Sequence, residues 1–128
     1  MAKSDKRAIG KLGEELAARF LTEKGFSIVE FNYNRPWGEI DIVAEKSGVV
    51  RFVEVKTISR VGTNGSREIK EIPEELVHKS KLSKIARTAA LYMESKNDLR
   101  EYQVDVVGVI LDKEARIARC RLFEQVLG

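Results

Sequence analysis

The sequence predicts an α/β domain in which a mixed β-sheet is flanked by helices, in the order αβββαββ. Three observations carry this reading. Two long segments place apolar residues at helical spacing. Five shorter segments are rich in β-branched and aromatic residues. One helix opens the chain, and the other stands between the third and fourth strands. At 128 residues the chain has the length of one domain, 1–128, and can bury a core without a disulfide or structural metal.

The first helix is expected over Lys6–Lys24, where Ile9, Leu12, Gly13, Leu16, Ala17 and Phe20 share a face and Gly25 follows as a C-cap. Phe26–Tyr33 reads as a strand, ended by Pro36, Trp37 and Gly38. Glu39–Lys46 and Val49–Thr57 read as two strands joined by a tight Ser47-Gly48 turn. Ile58–Ile72 contains Gly62, Asn64, Gly65 and many charges, and reads as a loop long enough for mobility or a substrate contact. Pro73 opens a second helix running to about Lys96, with Glu74 and Glu75 in its first turn and an apolar stripe of Leu82, Ile85, Ala86, Ala89 and Met93. Tyr102–Leu111 and Arg116–Val126 complete the strands around an Asp112-Lys113-Glu114 turn.

Composition removes several function classes. Hydrophobic residues at 43% and charged residues at 34% are incompatible with a disordered chain. The longest apolar run, Val106–Leu111, is far short of the ~20 residues needed to cross a bilayer. A single cysteine, Cys120, and a single histidine, His78, exclude a disulfide scaffold and a multi-histidine metal centre. No apolar stretch follows the basic N-terminus, so a cytoplasmic protein without a signal peptide is expected. A net charge of +3 leans mildly towards a polyanionic partner.

The two central strands hold the chemistry. Glu39, Asp41 and Val43 alternate with Ile40, Ile42 and Ala44, and Phe52, Glu54 and Lys56 alternate with Val53 and Val55. A two-residue turn sets Lys46 against Val49, which puts Asp41 opposite Glu54 and Glu39 opposite Lys56. Facing carboxylates with Cβ atoms ~5 Å apart repel unless a cation lies between them. A hard divalent cation such as Mg²⁺ takes oxygen ligands of this kind, and the Val55 carbonyl could add a third. Lys56 can reach the same water or a scissile phosphate. The competing reading is a solvated hairpin face. Against it stand Val43 and Phe52 on the charged side, and like charges set face to face.

Gly38-Glu39-Ile40-Asp41-Ile42-Val43-Ala44 followed by Phe52-Val53-Glu54-Val55-Lys56-Thr57 resembles the signature of the PD-(D/E)xK nuclease superfamily. Within it the chain resembles the YraN-type bacterial endonuclease family, relatives of Holliday junction resolvases. The likeness extends to Gly10 and Gly13-Glu14-Glu15-Leu16-Ala17, to Gly25-Phe26 and Asn32, to Lys81, Ala89 and Tyr92-Met93, and to Asp105-Val106-Val107. It implies a restriction-endonuclease-like core and a Mg²⁺- or Mn²⁺-dependent site. Asp41 and Glu54 would be metal ligands, Lys56 the catalytic lysine and Glu14 a helix-borne acid. The implied partner is nucleic acid, DNA above all and branched DNA among its forms, with a homodimer left open. Ile58 stands where the family often has an arginine, with Arg60 beyond, and Val61–Ile72 is longer and more charged than the pattern. Both departures bear on substrate grip more than on metal binding.

Other residues divide between roles. Glu14 lies on a flank of small residues beside Gly10 and Ala17 and is preferred to Glu15, which can pair with Arg19. Glu39 could assist a metal or pair with Lys56. Asp105 interrupts an apolar strand, and an arginine or backbone partner is favoured over a place in the site. Lys81, Lys84 and Arg87 could meet phosphates or form a solvated helix face. Arg35, Trp37 and Tyr33 could contact a base or phosphate, with packing preferred for Trp37. His78 reads as structural, and Cys120 has no nucleophilic partner. A nuclease-fold binding module without catalysis and a protein-binding adaptor remain as alternatives.

Overall fold

The computed structural model describes residues 3–60, 79–114 and 116–127. The elements are α1 (Lys3–Glu23), β1 (Ser27–Arg35), β2 (Gly38–Lys46), β3 (Val49–Arg60), α2 (Lys79–Ser95), β4 (Tyr102–Asp112) and β5 (Ile117–Phe123), the expected αβββαββ order. They form one mixed sheet in the order β1-β2-β3-β4-β5. Neighbours are antiparallel except β3 and β4, which are parallel. A parallel pair needs a crossover, and α2 lies between its two strands in the chain.

The helices cover opposite faces. Ala17 and Leu21 of α1 pack on Ile42, Val53, Val107 and Val109. Leu82, Ile85, Ala89 and Met93 of α2 pack on Val43, Phe52 and Val104. Both helices end in the same way. Gly25 (φ 92°) donates to the Thr22 carbonyl while Phe26 donates to Leu21, and Asn97 (φ 50°) donates to Glu94 while Asp98 donates to Met93. A residue in the left-handed region closes each helix and satisfies its last carbonyls.

Gly13 sets the distance between α1 and the sheet, since a Cβ there would overlap the Thr57 side chain. Gly13→Ala should therefore destabilise the fold by about 1–3 kcal/mol, although alanine is favoured by ~1 kcal/mol within a helix. An unchanged melting temperature would show that α1 sits further from β3.

Several boundaries differ from expectation: α1 starts at Lys3 instead of Lys6, and β1 runs to Arg35 instead of Tyr33. Strand β3 continues past Thr57, because Ile58, Ser59 and Arg60 pair in parallel with Ile110, Leu111 and Asp112. The remainder of the expected Ile58–Ile72 loop lies outside the described residues, as do Pro73, Glu74, Glu75 and His78. Strand β5 stops at Phe123 instead of reaching Val126. Gln125 adopts φ 48° and donates its N–H to Asp105 Oδ1, and Val126 donates to the Val104 carbonyl. Among the described residues no helix is long and apolar enough to cross a membrane.

Candidate functional site

The β2–β3 hairpin has the expected register, from Lys46↔Val49 to Ile42↔Val53. Bonded pairing stops there. Where Asp41 would follow opposite Glu54, the Val55 N–H donates to Asp41 Oδ2 at 2.8 Å. Strand β1 is irregular at the same level: Asn32 has φ 50°, and the β1–β2 register runs from Phe31↔Ile42 to Tyr33↔Ile40 with no bonded pair between. The unbroken alternation expected from Glu39 to Ala44 is thereby corrected. Ile40 joins Val43 in the core beneath α2, while Ile42 and Ala44 join the core beneath α1. The break turns the Asp41 carboxylate towards the β3 backbone. The expected Glu39–Lys56 facing is also absent from the bonded β2–β3 pairs, which end at Ile42↔Val53, while on the other side Glu39 is partnered by Asn34.

Four acids approach one another around this break. Glu54 is buried, and Lys81 Nζ from α2 lies 2.5 Å from its Oε1. Burial first, and the facing Glu54 carboxylate second, push the Asp41 carboxyl up to about 7, against the opposing pull of the Val55 N–H. Glu14 is raised by burial and then by the charges of Asp41 and Glu39. Its buried Oε1 has no hydrogen-bond partner among the described residues. Burial alone would lower Lys81, but its hydrogen bond to Glu54 and the charges of Glu54, Asp41 and Glu39 leave it raised.

Glu14, Asp41, Glu54, Val55 and Lys56 line one cleft of about 590 Å³, with Lys81 at its wall. The structure thus brings together Glu14, Asp41, Glu54, Val55 and Lys56, with Glu39 outside this cleft. Glu15 is exposed and lines a separate pocket that also touches Glu14, Lys11 and Phe31. A second cleft of about 890 Å³ shares Asp41, Glu54 and Lys81 and extends over Arg35, Trp37, Lys84 and Arg87. A further cleft of about 940 Å³ crosses α1 and β5 at Phe20, Cys120 and Leu122 and contains none of Glu14, Asp41, Glu54, Val55 and Lys56. The Cys120 thiol there is pushed up by burial and then by Glu23.

The donor set fits a hard divalent cation in part. Among the described residues no three His, Cys, Asp or Glu side chains converge as a ready metal cage. Two carboxylates from adjacent strands nonetheless suit Mg²⁺, which keeps several waters and completes its shell with substrate phosphate. The raised Asp41 and the unpartnered Glu14 oxygen are what such an acidic site would show without a compensating cation.

The remaining candidates separate clearly. Asp105 is fully buried and structural: it accepts from Arg51 Nη1 at 3.2 Å, Gln103 Nε2 at 2.8 Å and the Gln125 N–H at 3.0 Å. Tyr33 is core, with the Arg35 guanidinium 4.3 Å above its ring. Trp37, expected to pack, is 43% exposed in the cationic cleft. Two features escaped the sequence reading. The Lys81–Glu54 pair depends on how α2 docks, and no local spacing signals it. The exposure of Trp37 had one signal, its place between Pro36 and Gly38 in a turn.

A family model described as "Uncharacterised protein family UPF0102" matches residues 13–109. The chain belongs to UPF0102. This is the YraN family expected from the hairpin and helix motifs. A UPF0102 protein of Dictyoglomus thermophilum is 37% identical over 112 residues, covering 87% of this chain and 89% of the relative. One from Moorella thermoacetica is 40% identical over 114 residues, covering 88% and 89%. One from Syntrophomonas wolfei is 39% identical over 107 residues, covering 83% and 87%. The segment matched to UPF0102 contains Glu14, Asp41, Glu54, Lys56 and Lys81, while Lys6, Ile9 and Gly10 of the same cleft precede it.

Proposed function

We propose that this UPF0102 protein is a cytoplasmic, metal-dependent endonuclease with a restriction-endonuclease-like core that hydrolyses phosphodiester bonds in DNA, branched DNA among its substrates. The observation that carries the reading is that Glu14, Asp41, Glu54 and Lys56 line one cleft. Asp41 and Glu54, with the Val55 carbonyl, would hold Mg²⁺ or Mn²⁺. Such an ion lowers the pKa of a bound water and neutralises charge building on the phosphate. Lys56, exposed at the cleft, supplies a cation for the non-bridging phosphate oxygens. Glu14, whose carboxyl is pushed up by burial and then by the charges of Asp41 and Glu39, can exchange a proton with water in the cleft. Lys84 and Arg87 provide phosphate contacts on the neighbouring wall. Cleavage of duplex, single-stranded, flap and four-way-junction DNA in Mg²⁺ or Mn²⁺ tests the proposal. No product from any of them would overturn it.

A second reading, a nucleic-acid-binding module without catalysis, draws on the Lys81–Glu54 ion pair, which already neutralises one acid. Melting curves separate the two. Asp41 has an ordinary value of 3.8 but is pushed to about 7 in the fold. At pH 8 it is ionised in both folded and unfolded chains, and the fold carries the full repulsion. Lowering the pH from 7 towards 4 protonates the folded carboxyl while the unfolded one stays ionised, so stability rises. Metal-free protein should therefore melt higher at pH 5.5 than at pH 8, and Asp41→Asn should flatten that difference. A divalent cation at about ten times its dissociation constant should restore ~1.4 kcal/mol at pH 8, about 3–6 °C. The binding-module reading expects no metal shift.

A further inference from the structure

We infer that the cleft takes nucleic acid carrying an unpaired base beside the phosphate it engages, and that Trp37 is the platform on which that base stacks. The inference rests on reading the cleft as a nucleic-acid site and adds the class of substrate. An indole is the largest apolar surface a side chain offers, and burying it is strongly favourable. Trp37 is nevertheless 43% exposed, in the turn between β1 and β2 and in the same cleft as Asp41 and Glu54.

The turn is anchored through its backbone. A Cβ on Gly38 would overlap the side chain of Thr88, which is fully buried on α2. Trp37 is thus positioned by the turn's close seat on α2, with much of its own surface left open. Arg35, beside it, is steadied by the Tyr33 ring and by donation from Nη1 to the Asn34 carbonyl. An open aromatic face flanked by cations is the arrangement that binds single strands, with bases on the ring and phosphates on the cations. A base within a duplex has both faces covered by its neighbours. It can reach the indole only where the stack is open, as in a single strand, a flap or a gap. A fully paired four-way junction offers no such base.

Trp37 is the only tryptophan in the chain, so its emission reports contact directly. Wild-type protein would be titrated in calcium buffer with an oligothymidylate of about twelve nucleotides, with its duplex, and with a fully paired four-way junction. Anisotropy of labelled DNA follows binding in parallel. The single strand should quench Trp37, and the paired probes should leave its emission unchanged. Trp37→Ala should weaken single-strand binding about tenfold or more while duplex affinity changes less than about twofold, and Trp37→Phe should recover most of the loss. Binding of the single strand with unchanged emission, or equal losses on all three probes, would overturn the inference and leave the nuclease reading standing. Failure of wild-type protein to bind any probe would overturn both.

Discussion

Asp41→Asn, Glu54→Gln and Lys56→Met should each lower DNA cleavage by at least about a hundredfold, the scale on which a single group that stabilises transition-state charge is felt. Circular dichroism should be unchanged in all three. The physical reason differs among them. Asp41 and Glu54 provide oxygens from adjacent strands, and one carboxylate of the pair is a poor substitute for two. Lys56 is exposed in the cleft, so its loss removes a cation from the phosphate without disturbing packing. Glu54→Gln also releases Lys81 from its ion pair. That pair is half open to solvent and contributes no more than about 1 kcal/mol to stability, so loss of cleavage in this variant cannot be attributed to unfolding. Wild-type rates in all three purified variants would place the chemistry elsewhere.

Asp105→Ala should cost about 3–5 kcal/mol in denaturant unfolding, because it strands a buried guanidinium. Arg51 is 7% exposed, and its Nε already lacks a hydrogen-bond partner among the described residues. Its remaining carboxylate neighbour, Glu124, lies at 3.6 Å and is itself largely exposed. The same substitution removes the acceptor for Gln103 Nε2 and for the Gln125 N–H, and so frees the segment that ends β5. Replacing both partners, as Arg51→Met with Asp105→Leu, should recover much of the loss, since an apolar pair leaves no charge behind. A cost below about 1 kcal/mol for Asp105→Ala would mean that water reaches Arg51.

What could be read from the chain before folding was local. The Ser47-Gly48 turn fixes the hairpin register from Lys46↔Val49 to Ile42↔Val53, and the bonded pairs end one step short of Asp41 and Glu54. Helix ends were legible at Gly25 because a glycine there has a stereochemical reason. The type of partner needed by Asp105 followed from its apolar strand, though Arg51 as the particular arginine did not. Features set by distant chain segments were hidden. The break in alternation at Asp41 accompanies a left-handed Asn32 on the opposing strand. The extension of β3 to Arg60 depends on a parallel partner more than fifty residues away in sequence. Gly38, beside the half-open Trp37, meets Thr88 across the sheet–helix boundary, a contact that no periodicity encodes.

The order of the strands has a consequence for how the molecule loosens. β2 and β3 are bonded on both sides, whereas β1 and β5 each have one neighbour. Amide protons exchange first where a segment can open without disturbing others, and last in strands enclosed by their neighbours. Glu54 and Lys56 therefore stand on an enclosed strand and Asp41 on another, beside its break in pairing, while Arg35 comes from an outer strand and Lys84 and Arg87 from a helix laid over the sheet. On warming, the Arg35 end of the second cleft would loosen before the strand that carries Glu54.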